Sequence, residues 1–257
     1  MAILDLRRQA AAHPLDLGPD LALDEPARQA AIATWKGRMV NEHISARVFA
    51  ALIPQLMRAG LDPDHHEAVA AMITDELRHA RLCAAAVLAL GGDPIAPLPH
   101  LPPIPEHEDA SPLEALLRNV LSVSCLSETV AVALIDAERL HAGPPALAEL
   151  LRAILADEVA HARFGWRLLE ELAPRLDRPL RARLGAYLIP AFAHLRAHQL
   201  HHIPDRPAPS TAAEAIGVCD GHRARALFLA TVEDIIVPGL CAHHIPARAA
   251  WRRALAA

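Results

Sequence analysis

Glu42, Glu76, Glu128 and Glu158 each fall near the middle of a separate helical stretch, and two of them are followed three residues later by a histidine, His79 and His161. A carboxylate on the apolar face of a helix is costly to bury unless a cation pairs with it. Four share such faces here, and no Lys or Arg occupies the same stripes. Residues i and i+3 lie on one side of a helix, so each Glu-x-x-His pair aims two ligands at one place. At a rise of about 1.5 Å per residue, all four glutamates lie within about two turns of their helix midpoints, and helices packed side by side bring them to a common height. Zinc prefers four ligands rich in Cys and His, whereas four carboxylates with two imidazoles suit a pair of harder divalent ions. Such a set holds two iron ions inside helix bundles, which points to oxygen chemistry.

Glu-x-x-His alone is a weak signal: with 15 Glu and 16 His, roughly one match arises by chance. A third match, Glu138-Arg-Leu-His141, lies at the end of its helix beside Gly143 and lacks a preceding Asp, so it is set aside. The other two read Asp75-Glu76 and Asp157-Glu158, and both fall mid-helix on an apolar stripe.

Four helices must carry these groups. The first spans about residues 26–57, with Trp35, Met39, Glu42, Ala46, Phe49, Ile53 and Leu56 inward. The second opens with Asp62 as cap and Pro63 in the first turn and stops at Gly91-Gly92. Its stripe includes Val69, Glu76, Ala80 and Cys83. The proline-rich run GGDPIAPLPHLPPIPEHEDA cannot be helical and reads as a crossover along a bundle. The third helix starts at a capping box, Ser111 to Glu114, and stops near Gly143, with Leu117, Leu121, Ser124, Glu128 and Ile135 inward. The fourth spans about 145–172, with Leu151, Ile154, Glu158, His161 and Gly165 inward. Beyond it, one helix over about 179–202 is expected to kink at Pro190, another runs from Asp220 to about Val237-Pro238-Gly239, and a last one closes the chain. No run alternates with the period of two that marks a sheet.

Composition narrows the classes. The chain has 257 residues, of which 53% are apolar and 3% aromatic, and a formal charge of −5. That size suits one large domain, and the charge gives nucleic acid or anionic lipid nothing to bind. Charges interrupt the apolar stretches and the first residues lack a signal-like run, so a cytoplasmic, membrane-free protein is expected. Cys83, Cys125, Cys219 and Cys241 form no Cys-x-x-Cys pair and are expected as reduced thiols, the first two as small buried hydrophobes.

At these residues the chain resembles the ferritin-like di-iron carboxylate superfamily. Asp75-Glu76-Leu77-Arg78-His79 resembles the D-E-x-R-H motif of the bacterial multicomponent monooxygenases, and Asp157-Glu158-Val159-Ala160-His161 is the same motif with Ala for Arg. The resemblance implies an all-α, ferritin-like four-helix bundle. One domain would fill residues 1–257, with its core at about 26–172, a long crossover between helices two and three, and accessory helices over about 176–257. It implies two Fe ions, or a Mn/Fe pair, with Glu42, Glu76 and His79 on one and Glu128, Glu158 and His161 on the other, and at least one glutamate bridging. Asp75 and Asp157 would each receive the N–H of the ligand histidine on the opposite helix.

Departures from relatives narrow the activity. Cys83 stands where ribonucleotide reductase small subunits carry a radical Tyr, and the sole Tyr, Tyr187, lies outside the core helices. Ile154 stands where arylamine N-oxygenases add a His, the Cys-rich domain of rubrerythrins is missing, and bacterioferritin is shorter. The expectation is an oxidase or oxygenase that activates O2 against a small organic substrate. It would draw on an external electron donor such as a ferredoxin or reductase and run as a monomer or homodimer. A ferroxidase, iron-handling or peroxide-reducing protein is the alternative. Ser124, Ser127 and Thr129 are read either as orienting oxygen and its protons or, more commonly, as bonding their own helix backbone. His194, His198, His201 and His202 share one helix and read as a solvated polar face, with a second metal site or proton path as the rarer reading.

Overall fold

The computed structural model describes residues 2–18 and 23–256. In chain order its elements are β1 (Ile3–Asp5), α1 (Arg7–Ala11), α2 (Glu25–Arg58), α3 (Pro63–Ala89), β2 (Ile95–Pro97), α4 (Pro112–Val120), a π-helical stretch (Leu121–Glu128), α5 (Thr129–Arg139), α6 (Pro145–Leu172), a 3-10 turn (Ala173–Arg175), α7 (Arg178–His202), α8 (Thr211–Glu214), α9 (Gly221–Thr231), a second π stretch (Val232–Ile236), α10 (Val237–Ala242) and α11 (Ala247–Ala256). The fold is all-α apart from one short ribbon. Four long helical runs build its centre: α2 lies along α3, and α6 along the continuous rod of α4, the π stretch and α5. The pairs close on one another through α3 with α6 and α2 with α4.

The helix starts follow local chemistry. Asp24, Asp62, Ser111 and Asp177 each accept a backbone N–H of the first turn, and a proline occupies that turn in all four helices. The capping box at Ser111 closes on one side only: Ser111 Oγ accepts the Glu114 N–H at 3.3 Å, but the Glu114 carboxylate turns to Arg118 and Arg183, both at 2.7 Å. Two guanidiniums outbid one backbone N–H.

Two features differ from the sequence reading, the ribbon and the helix past Pro238. Residues 95–97 of the crossover pair antiparallel with residues 3–5, with Leu4 opposite Ala96 and both buried. Three residues a side are too few to show a period of two. The rest of the crossover is pinned to the bundle, since Arg47 donates to the Pro102 carbonyl and Asn119 to that of Pro105. At the other end of the chain, helix continues through Pro238 to Ala242, with that proline at the point where the π stretch passes into α10.

The interior holds two apolar cores stacked along the bundle. One gathers Trp35, Met39, Cys83, Val87, Leu151, Ile154 and Ile216. The other gathers Phe49, Leu52, Val69, Leu117, Leu169, Phe192, Phe228 and Trp251, so α7, α9 and α11 complete it. On α2, α3 and α6 the seam between them falls at Glu42–Ala46, Glu76–Ala80 and Glu158–Gly165. The stretch Pro112–Arg139 is long and apolar enough in principle to cross a membrane, but it is also the rod that carries Ser124 and Glu128 inward, and 39% of its most apolar window is buried.

Candidate metal centre

The seam is polar. Glu76, His79, Glu128, Glu158 and His161 are all buried, and Glu42 keeps only 15% of its side chain exposed. Their ligand atoms form two overlapping groups, Glu42, Glu76, His79 and Glu158 in one and Glu76, Glu128, Glu158 and His161 in the other, with all atoms of a group within 4.8 Å of each other. Glu76 and Glu158 belong to both. His79 Nδ1 lies 3.3 Å from Glu158 and 3.5 Å from Glu42, and His161 Nδ1 lies 3.1 Å from Glu76 and 3.3 Å from Glu158.

Each imidazole is held from behind by the opposite helix. His79 Nε2 meets Asp157 at 2.9 Å, and His161 Nε2 meets Asp75 at 3.4 Å. A carboxylate on Nε2–H leaves the Nδ1 lone pair for an ion. Buried nitrogen and oxygen atoms normally find hydrogen-bond partners. His79 Nδ1, His161 Nδ1, Glu76 Oε2 and Glu158 Oε2 make no well-directed hydrogen bond, although both nitrogens lie within 3.5 Å of glutamate oxygens, and all four belong to residues of the same cluster. This donor set fits a pair of hard divalent ions.

Protons crowd the site otherwise. Burial, with the charges of Glu158 and Glu42 behind it, pushes Glu76 up to about 8, and burial with Glu158 pushes Glu128 well above the carboxylate range. Burial opposes charge on His79, but its contacts with Glu158 and Glu42 prevail and carry it up to about 11. His161 follows, up to about 10, through Glu158 and Glu76. Glu158 is held below its usual range because contacts with His161 and His79 outweigh burial. Ions entering at neutral pH must therefore displace protons.

The π stretch ends on Glu128, and such stretches often mark functional sites. Opposite it, a Cβ on Gly165 would lie 2.5 Å from Ser124 Cβ and 3.0 Å from Cys125 Sγ, so only glycine permits this approach of α6. Phe49 places its ring edge-on to His161, with centroids 5.3 Å apart. The three hydroxyls separate: Ser127 is exposed and donates to the Ser122 carbonyl, Thr129 accepts from the Trp166 indole at 3.1 Å, and Ser124 Oγ is buried with no partner.

Other candidates lie elsewhere. Glu138 pairs with the Arg38 guanidinium, and His141 is exposed and bonds the Ala137 carbonyl, so the third Glu-x-x-His supplies no ligand to the seam. His194, His198, His201 and His202 form an exposed row with neighbouring rings in contact. Among the described residues, the interior groups are the only ones with three or more ligand atoms gathered for an ion. All four cysteines are free, with Cys83 and Cys125 buried. Two features escaped the sequence reading, the π stretch and the contacts of Arg78, although the Arg in one motif and Ala in the other was a visible asymmetry.

Comparison of the chain with protein-family models, with curated proteins and with solved structures gave no match. The reading of the site therefore rests on its own geometry.

Proposed function

We propose that this protein is a ferritin-like, non-haem di-iron enzyme that activates O2 to oxidise a small organic substrate. The observation that supports it most is the set of four buried ligand atoms on His79, His161, Glu76 and Glu158, gathered in one cluster and none of them in a well-directed hydrogen bond. Two ferrous ions, when bound, supply the electrons that reduce O2. The protein's part is to hold and exclude. Asp75 and Asp157 keep Nε2–H on the two histidines so that Nδ1 faces the ions. Glu76 and Glu158 would serve both metal positions, and Glu42 and Glu128 one each. The apolar cores above and below, with Phe49 against His161, keep water from the seam. Ser124, one turn before Glu128, keeps a buried hydroxyl proton that no protein acceptor takes. Electrons for repeated turnover come from an external donor.

The test is anaerobic Fe2+ titration followed by exposure to O2. Mössbauer spectra should show two irons per chain, and O2 uptake should exceed that of free iron. Fewer than two irons per chain, or uptake no faster than that of free iron, would sink the proposal.

Iron handling is the second reading, and one observation favours it. A cleft of about 510 Å³ between α3 and α6 reaches Asp75 and His161 from a rim that includes Asp64, His65 and Glu171, side chains suited to passing cations. A large assembly on size exclusion that retains mineral iron would favour this reading over the oxygenase.

A further inference from the structure

The two Asp-Glu-x-x-His motifs differ at two positions, Leu77 against Val159 and Arg78 against Ala160, and only the second exchange changes charge. Arg78 Nη2 lies 2.8 Å from Asp75 Oδ1 on its own helix and 2.5 Å from Asp157 Oδ2 across the interface. Those aspartates are the groups behind the two histidines. A continuous chain results: His161 Nε2 to Asp75, Asp75 to Arg78, Arg78 to Asp157, and Asp157 to His79 Nε2. No other Arg or Lys pairs with either aspartate among the described residues. Ala160 lies on the wall of the open cleft that also exposes Asp75, and it offers no charge.

We infer that Arg78 is a positioning residue for both halves of the dinuclear centre at once, one guanidinium doing for two motifs what each would otherwise need its own cation to do. The inference rests on the di-iron reading. Charge makes the case. Four glutamates and two aspartates exceed two divalent ions by two negative charges, and a permanently charged Arg78 offsets one of them. Without it, two carboxylates face each other across the α3–α6 interface with nothing between them. Each would then turn toward solvent, which is within reach because Asp75 and Asp157 keep 28% and 22% of their side chains exposed. The histidines they anchor would lose the hydrogen bond that fixes Nδ1 toward the ions. The arginine touches neither ion, so its effect passes through both aspartates, and both metal positions should weaken together.

Co2+ titration, read by its ligand-field absorption bands, tests this on the full chain. Wild type should bind two ions. Arg78→Ala should bind both about 10- to 100-fold more weakly, as loss of a partner behind a metal ligand does elsewhere, with altered bands for both ions. The discriminating variant moves the cation to the other motif. Arg78→Ala combined with Ala160→Arg places a guanidinium three residues after Asp157, facing Asp75 across the interface and projecting into the cleft. It should restore two-ion binding and the wild-type bands. A role confined to stability would lower the unfolding temperature of the metal-free protein and leave the bands of the ions that do bind unchanged. Wild-type affinity in Arg78→Ala, a loss confined to one ion, bands unchanged from wild type, or a loss that persists in the swapped variant would overturn the inference. Failure of wild type to bind two ions would instead remove the di-iron reading itself.

Discussion

A glutamate shared by two ions is a different thing to remove from one that serves a single ion. Glu76 and Glu158 stand in both ligand groups, whereas Glu42 and Glu128 stand in one each. Glu158→Ala should abolish two-ion binding, while Glu42→Ala should leave about one ion per chain; equal stoichiometry in the two variants, measured by elemental analysis after desalting, would contradict the shared roles. Protonation gives a second handle. His79 and His161 have folded values raised to about 11 and about 10, and Glu76 is raised to about 8. Each binds its proton more tightly in the folded than in the unfolded chain, so each contribution to stability is present at low pH and lost as pH rises through the folded value. The metal-free protein should therefore unfold at lower temperature at pH 9 than at pH 6. Divalent ions should reverse that order, since they bind the deprotonated donors. Thermal melts at both pH values, with and without Co2+, read this directly. The six ligand residues were legible in the sequence because charge on an apolar stripe is conspicuous. Which of them are shared was not, since that depends on distances across helices.

At the scale of elements, the π stretch and α6 form the tightest joint in the site. Gly165→Ala would place a methyl 2.5 Å from Ser124 Cβ, and the clash falls on the segment that ends in Glu128. A loss of about 1–3 kcal/mol is expected, as for other overpacked interiors, together with weaker binding of the ion that Glu128 serves. Denaturant unfolding and metal titration measure the two effects, and an unchanged variant would show that the joint opens at no cost. A second joint ties α2 to α5 through Arg38 and the buried Glu138, with Trp35 donating to the Ile216 carbonyl at 2.8 Å beside it. Arg38→Ala strands that carboxylate and should cost about 3 kcal/mol, more than Glu138→Gln, whose amide oxygen still accepts from a guanidinium that is 25% exposed and can reach water. Helix lengths and caps were legible because caps, prolines and apolar spacing are local signals. The π stretch was not, because residues 121–128 keep an ordinary apolar pattern and only packing against α6 fixes their hydrogen bonds.

For the whole molecule, the accessory helices are part of the lower core rather than an appendage. Phe228, Val232, Ile236, Leu240 and Trp251 lie fully or almost fully buried in the same cluster as Phe49 and Leu169. A chain ending at residue 203 would expose that face and is expected to be insoluble or molten, without a sharp thermal transition. A truncated protein that melts cooperatively and binds two ions would show that the bundle stands alone. Metal should act on the whole molecule as well. Ligand at about 100 times its dissociation constant adds about 2.7 kcal/mol per site, so loading should raise the unfolding temperature by several degrees.

The amino-acid order by itself determined the helices, the inward stripes and the residue types at mid-helix, because spacing along one helix is a local geometric fact. It also determined that these charges required a partner, since buried carboxylates without one are too costly. Only the tertiary structure decided which glutamates face both ligand groups and that a single arginine spans both motifs. Those relations join residues about eighty positions apart, and the way α3 and α6 pack sets them.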